Sequence, residues 1–500
     1  MPGRVVLFYP PYEGQPLGAP LCFLALSAVL RQHGFEPVLI DAAICPDYKE
    51  AIRSALDDAI CLGISVLTGP MIRGAIAAAT LAKAVRPDIP VVFGGWHPTL
   101  LPDQTLAEPF VDVVVRGQGE ITFCELVHAL ETGTPLKNIA GISWKTGVMR
   151  THNPDRPVEQ LENLPAPAFD MIDFDAYERV EGTRKFAYAT SVGCPYACNY
   201  CTDTVFYKRR FNALSAERVV RELTGLVVRY RIDEIALLDS NFPVDLRRAI
   251  AIAKGIVASG VKFRWTFQAS TDFICRMTEE EIRLLGASGV MHMGFGTEST
   301  SEAVLKLMNK RHQRIDEMYE TARRAAIGGI KVTFNLIFGY PGETEADRQT
   351  TFRTMSDVGR RYPNVRFSPN IFTPYPGIPI WPQLRELGIQ EPRTLKQWGD
   401  LALGVNMLPW LQDANLARFN RMLDYFLVDA QVGRASQKPK ASMVQSVTQL
   451  ILSRPVRWRI VHGQYVLPWE LWFAHFAESI VRRRSLIDGR ELPTEAANVC

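Results

Sequence analysis

Three cysteines within eight residues set the tightest constraint on this chain. The stretch SVGCPYACNYC carries Cys194, Cys198 and Cys201, while the other six of the nine cysteines lie far apart. A structural zinc site closes with four ligands, drawn as pairs from separate turns. Here the spacing is CxxxCxxC, with no fourth cysteine or histidine nearby. Three thiolates suit a four-iron, four-sulfur cluster in which one iron has no protein ligand. Such an iron can take a small molecule and pass it an electron. Gly193 and Pro195 favour a tight wrap around a cluster. Zinc with a remote fourth ligand, or three unrelated structural cysteines, are the competing readings.

Five hundred residues exceed one ordinary core, so two or three domains are expected. Hydrophobic residues at 47% and charged residues at 22% fit a folded chain and exclude a disordered one. A formal net charge of +3 gives no reason to expect a nucleic-acid partner. The opening MPGRVVLFYPPYEG lacks the layout of a signal peptide. No apolar run reaches the roughly 18 residues a membrane span needs. The expected location is the cytoplasm, where clustered thiols stay free for metal.

The first 145 residues alternate short strand and helix patterns. RVVLFYPP, EPVLID, AICLGISVL, PVVFGGWHP and VDVVVRG read as strands, with helices such as LCFLALSAVLRQHG and MIRGAIAAATLAKAVRPD between them. That alternation predicts an α/β, doubly wound Rossmann-like domain with a parallel sheet. Ligands of such sheets bind beyond the strand carboxyl ends. Three of those ends bear polar residues and glycines: Ser65, Thr68 and Gly69; Gly94, Gly95 and His97; Gly117, Gly119 and Glu120. Residues 146–182 are proline-rich and read as a linker. From 183 to 385 about six longer strand-helix units succeed one another, beginning with FAYATSV, which runs into the cysteine loop. They predict a partial (β/α)6 barrel with its reactive groups at strand ends. Residues 386–500 read as a mainly helical region.

CPYACNYC, with Tyr200 before its last cysteine, resembles the cluster loop of the radical S-adenosylmethionine superfamily. The resemblance implies that the open iron chelates S-adenosylmethionine, whose cleavage gives methionine and a 5′-deoxyadenosyl radical. LLDSNF (Asp239, Asn241, Phe242), KFRWTFQAS (Gln268), GFGTES (Glu298) and FNLIFGYPGET (Ile337, Gly339, Pro341, Glu343) resemble the strand ends that contact this cofactor. Carboxylates and amides can accept from ribose hydroxyls, and glycine lets backbone approach the adenine. One departure is Val192, where many relatives carry arginine.

The N-terminal domain resembles the cobalamin-binding domain fused to one subgroup of that superfamily, which includes magnesium-protoporphyrin ester cyclase-like and C-methyltransferase enzymes. The likeness spans residues 1 to about 385. It implies cobalamin contacts at the nine strand-end residues from Ser65 to Glu120 named above. The Asp-x-His-x-x-Gly motif of many cobalamin proteins is absent, since AICPDY follows VLIDA. His97 either ligates cobalt or hydrogen-bonds a ligand amide or nearby backbone. The implied activity is methylation of an unactivated carbon; oxidative cyclisation or ring rearrangement is the alternative, and a non-catalytic cobalamin or metal sensor a third reading.

The implied partners are a small-molecule substrate, lipid-like or tetrapyrrole in character, and a reductant such as flavodoxin or ferredoxin. Between Arg454 and Arg484 six arginines mix with Trp458, Trp469, Trp472, Phe473 and Phe476. Such a tail either lies peripherally on an anionic membrane or caps the barrel as ordinary helices.

Overall fold

The structure, a computed structural model, describes residues 3–12, 18–401, 408–435 and 443–474. The chain forms two compact units. One comprises Met1–Phe267, Pro374–Arg385 and Gln390–Leu403; the other comprises Gln268–Thr373, Glu386–Ile389 and Gly404–Cys500.

The first unit opens with β1 (Arg4–Tyr9), β2 (Glu36–Asp41), β3 (Ala59–Ser65), β4 (Val91–Gly94) and β5 (Val113–Val115), all parallel. Val5, Val6, Leu7 and Phe8 of β1 are all fully buried, as a central strand covered on both faces requires. Helices Leu21–Gln32, Met71–Val85 and Glu120–Thr132 supply the cover. Two antiparallel strands, β6 (Ile142–Thr146) and β7 (Met149–His152), extend the sheet to the order β2-β1-β3-β4-β5-β6-β7. The order reverses between β1 and β3, the place where a doubly wound sheet offers its ligand crevice.

Two local expectations change. PVVFGGWHP is a strand only to Gly94; a turn at Gly95 leads into the short helix Trp96–Leu100. The stretch from 146 contains β7, whose pairing with β6 supplies partners that an irregular connector would lack. It ends in the helix Phe174–Glu181, capped by Asp173.

The first unit continues with β8 (Lys185–Tyr188), a two-residue antiparallel ladder of β9 (Ser191–Val192) with β10 (Asn212–Ala213), then β11 (Glu234–Leu237) and β12 (Arg264–Ala269), whose last two residues are counted with the second unit. β11 lies parallel to both β8 and β12. Ser215 and Asp245 cap the helices Ala216–Tyr230 and Leu246–Ser259 that alternate with these strands. Phe242 packs on Trp265 and Phe267 at ring separations of 5.7 and 4.8 Å.

In the second unit β13 (Val290–Glu298), β14 (Lys331–Phe338) and β15 (Val365–Ile371) are parallel. Capping boxes start two of its helices, Thr278 with Glu281 and Thr344 with Asp347. Phe295, Phe334 and Phe367 form a ladder at 5.9 Å steps across the three strands. β8 and β11–β15 are therefore the six strands of the expected partial-barrel units. After Ile371 the described residues contain helices and no strand, the longest being Asp413–Ala435 and Met443–His462.

Candidate functional site

β8 stops at Tyr188 because the chain there is turned by a buried carboxylate. Asp239, just beyond β11, accepts from the Thr190 N–H (2.7 Å) and hydroxyl (2.5 Å) and from the Ser191 hydroxyl. Arg248 adds a positive charge and donates to the Thr190 carbonyl at 2.8 Å. This clamp directs β9 into the cysteine loop. Asp239 is 1% exposed, so its carboxylate serves the loop rather than facing an open site.

Gly193 then turns with φ +77°, and a Cβ there would lie 2.0 Å from the Arg210 carbonyl oxygen. The Cys198 carbonyl accepts from the Cys201 N–H at 3.3 Å and the Thr204 hydroxyl at 3.1 Å, closing the loop. Cys198 is buried, Cys194 and Cys201 are partly exposed, and Tyr200 is half-buried. The Tyr196 N–H and the Asn241 side chain hydrogen-bond to Cys194, and the Asp203 N–H to Cys201. Burial raises the Cys194 thiol and pushes Cys201 up to about 12, with Asp203 and the neighbouring thiols adding to the shift. A bound cation deprotonates a coordinating thiol outright, so metal would offset the burial at Cys194 and Cys201. Among the described residues no group of three His, Cys, Asp or Glu could hold a single ion. A cubane, in which each thiolate takes a different iron, sets its ligands wider apart. Three thiols with amide donors on two of them fit a cluster.

Beside the loop lies a cavity of about 450 Å³ at the β1/β3 switch. Tyr9, Ser65, Gly94 and Gly95 line it from the strand ends, with Gly117, Gly119 and Glu120 from the turn after β5. A Cβ on Gly94 would meet nothing nearer than 3.8 Å, and one on Gly117 nothing within 4 Å. These glycines leave room for a flat, bulky ligand. Val192, Phe206, Tyr207 and Leu238, the neighbours of the cysteine loop and of Asp239 in the chain, also line it. Trp96 stacks on Phe206 at 4.3 Å and meets Tyr207 edge-on at 5.7 Å. Burial raises the Glu120 carboxyl.

Thr68, Gly69 and His97 do not line this cavity. The Gly95 turn and the helix behind it place His97 against Trp398, edge-on at 5.8 Å, with Nδ1 3.0 Å from the Thr68 hydroxyl. Burial lowers the imidazole to about 3, so it is neutral. A Cβ on Gly69 would lie 3.0 Å from the Leu401 carbonyl. All three, expected at the ligand, instead lie against Trp398, Leu401 and one another, and His97, read as either a cobalt ligand or a hydrogen-bonding group, is paired with Thr68.

In the second unit Glu298 ends β13 with φ +60° and forms a buried ion pair with Lys310 at 3.3 Å. Gln268 lies over Gly294, where a Cβ would meet its Oε1 at 2.2 Å, and accepts from Asn335 at 3.4 Å. Thr333, Asn335 and Ile337 alternate along the partly open face of β14. The Gly339 N–H donates to Glu343 at 2.6 Å, and Trp410 donates to the Gly339 carbonyl at 3.0 Å. Burial pushes Glu343 up to about 7 despite Arg348 at 3.2 Å. Sequence reasoning missed Trp96, Phe206, Tyr207, Asn335 and Lys310. Only the run VFYKRR after the third cysteine hinted at an aromatic wall.

Two family models match the chain: the B12 binding domain over residues 3–127 and the radical SAM superfamily over residues 188–355. An uncharacterized methyltransferase of Pyrococcus horikoshii is 32% identical over 395 residues, covering 76% of this chain and 82% of that protein. The anaerobic magnesium-protoporphyrin IX monomethyl ester cyclase of Rubrivivax gelatinosus is 24% identical, covering 76% and 70%. The solved radical S-adenosylmethionine methyltransferase TsrM of Kitasatospora setae shares the fold with a TM-score of 0.66 at 20% identity, covering 78% and 77%.

Proposed function

The chain belongs to the B12-binding branch of the radical S-adenosylmethionine superfamily, and from that premise we propose that it methylates an unactivated carbon of a hydrophobic or natural-product substrate. The observation that carries this reading is the cavity of the first unit, lined both by strand ends of the B12-binding domain and by neighbours of the cysteine loop. When bound, cobalamin supplies a transferable methyl group, and the cluster with S-adenosylmethionine supplies a hydrogen-abstracting radical. The protein's part is placement and exclusion of water.

Cys194, Cys198 and Cys201 are proposed to hold the cluster. Ser65, Gly94, Gly95, Gly117, Gly119 and Glu120 cradle cobalamin, with the Trp96–Phe206 stack as an apolar wall. No histidine lines that cavity among the described residues, which supports cobalamin held without an imidazole ligand. In the first unit S-adenosylmethionine contacts are proposed at Tyr200 and Asn241. Asp239 is a positioning residue acting through Thr190 and Ser191. The functional divisions we assign are residues 1–145, 146–182, 183–385 and 386–500, with a flavodoxin- or ferredoxin-type reductant.

The similarity to a methyltransferase at 32% identity supports methyl transfer. The similarity to a tetrapyrrole cyclase over 398 residues favours a second reading, oxidative cyclisation or rearrangement. Methyl-labelled S-adenosylmethionine, added to reduced and cofactor-loaded protein, separates them. Methyl transfer predicts label on the cobalamin and, with substrate, a product heavier by one CH₂. Unlabelled cobalamin alongside 5′-deoxyadenosine would leave the cyclisation reading.

A further inference from the structure

Residues 451–472 of the second unit form an outward face of unusual composition. Leu467 is 73% exposed, Trp472 65%, Val466 61%, Trp458 51% and Trp469 44%. Scattered apolar residues at a surface need no explanation, but three tryptophans and two aliphatics within fifteen residues do.

This face is built rigidly. Arg459 donates to the carbonyls of Val466 and Leu467 and pairs with Glu470 at 2.9 Å. Glu470 is 1% exposed and accepts from Tyr425 at 2.8 Å. Tyr465, equally buried, donates to Gln349 at 2.7 Å, and its carbonyl accepts from Arg421. Buried anchors at 465, 470 and 471 thus hold the residues between them outward. Leu467 keeps its exposed place with φ +53°, a conformation that costs a branched side chain energy.

The charge of the face selects its partner. Between 451 and 474 the sequence has one carboxylate, Glu470, and that one is buried and paired, whereas Arg454 and His462 are exposed. The segment beyond, outside the described residues, balances Arg482, Arg483, Arg484 and Arg490 against Glu478, Asp488, Glu491 and Glu495, so the positive excess lies in 451–474 itself. Tryptophan with flanking arginine suits the boundary between lipid headgroups and acyl chains, where the rings meet both environments. Among the described residues no helix is long and apolar enough to cross a membrane. We propose that this face docks the protein peripherally on an anionic lipid surface, with Trp458, Leu467, Trp469 and Trp472 entering the headgroup layer.

The test sediments the full-length, cofactor-loaded protein with vesicles of phosphatidylglycerol and phosphatidylcholine, and with phosphatidylcholine alone. The expected result is binding to the anionic vesicles that salt weakens. The combined Trp458→Ala, Trp469→Ala, Trp472→Ala variant should partition at least about tenfold less while keeping its melting curve and S-adenosylmethionine cleavage. Brominated lipid in the same vesicles should quench tryptophan fluorescence of the unsubstituted protein, a readout independent of any variant. Failure of the intact protein to bind, or equal binding by the triple variant, overturns the proposal. So does a dimer that the triple variant dissociates, or capture of an acidic protein, without vesicle binding.

Discussion

Replacing Gly193 with alanine should unseat the cysteine loop. The left-handed φ of +77° costs an L-residue about 1–2 kcal/mol. The new Cβ would stand 2.0 Å from the Arg210 carbonyl oxygen, where real contacts under 3.0 Å essentially do not occur. The loop and the β10 side of the ladder must part by about 1 Å. Overpacking of that kind adds about 1–3 kcal/mol. Together the terms come to about 2–5 kcal/mol, which lowers the population of the three-thiol geometry by roughly 30-fold or more. Gly182→Ala is the matched control: its φ is +72°, and nothing lies within 4 Å of the added carbon. Iron per chain after anaerobic reconstitution, then the rate of iron loss to a chelator, reads the difference. Gly193→Ala should reconstitute poorly or lose iron at least about tenfold faster than Gly182→Ala. Equal retention by the two variants would refute the placement of Gly193 as the loop's steric hinge.

Three further outcomes follow from the geometry. Asp239→Ala leaves the Thr190 N–H and two hydroxyls without their buried acceptor, so thermal stability should fall by about 3 kcal/mol or more and iron content should fall with it, while Asp239→Asn should lose less. Gly94→Leu projects into the cavity and should cut bound cobalt below about a tenth while leaving iron per chain unchanged; normal cobalt content would remove the cavity as the cobalamin site. Burial raises Glu343 from 4.5 to about 7, so between those values the folded state holds a proton that the unfolded state has released. The contribution of this group to stability is then full below about pH 4.5 and is lost, by roughly 3 kcal/mol, as pH rises through about 7. Urea melts of Glu343→Gln should lack that component of the slope, and an identical pH profile would contradict the buried carboxyl.

Much of this was legible from sequence because strong local signals agreed. Strand-helix alternation gave β1–β5 and the later parallel strands. The cysteine interval pointed to a cluster before any geometry was known. The errors lie where tertiary contacts override local pattern. PVVFGGWHP opens as a hydrophobic run, but the Gly95 turn ends the strand and carries His97 to Trp398, some 300 residues away in the chain. Asp239 resembles a cofactor-contacting acid by motif, yet its oxygens are occupied by Thr190 and Ser191, which no sequence interval announces. The Trp96–Phe206 wall and the Glu298–Lys310 pair likewise join residues that only the fold brings together.

Iron and cobalt per chain, with 5′-deoxyadenosine formed on adding dithionite and S-adenosylmethionine, test the two-cofactor reading most directly. About four irons and one cobalt, with cleavage abolished in Cys198→Ala and cobalt retained there, is the predicted result. Iron and cleavage without cobalt would contradict the cobalamin cavity and remove methyl transfer through it.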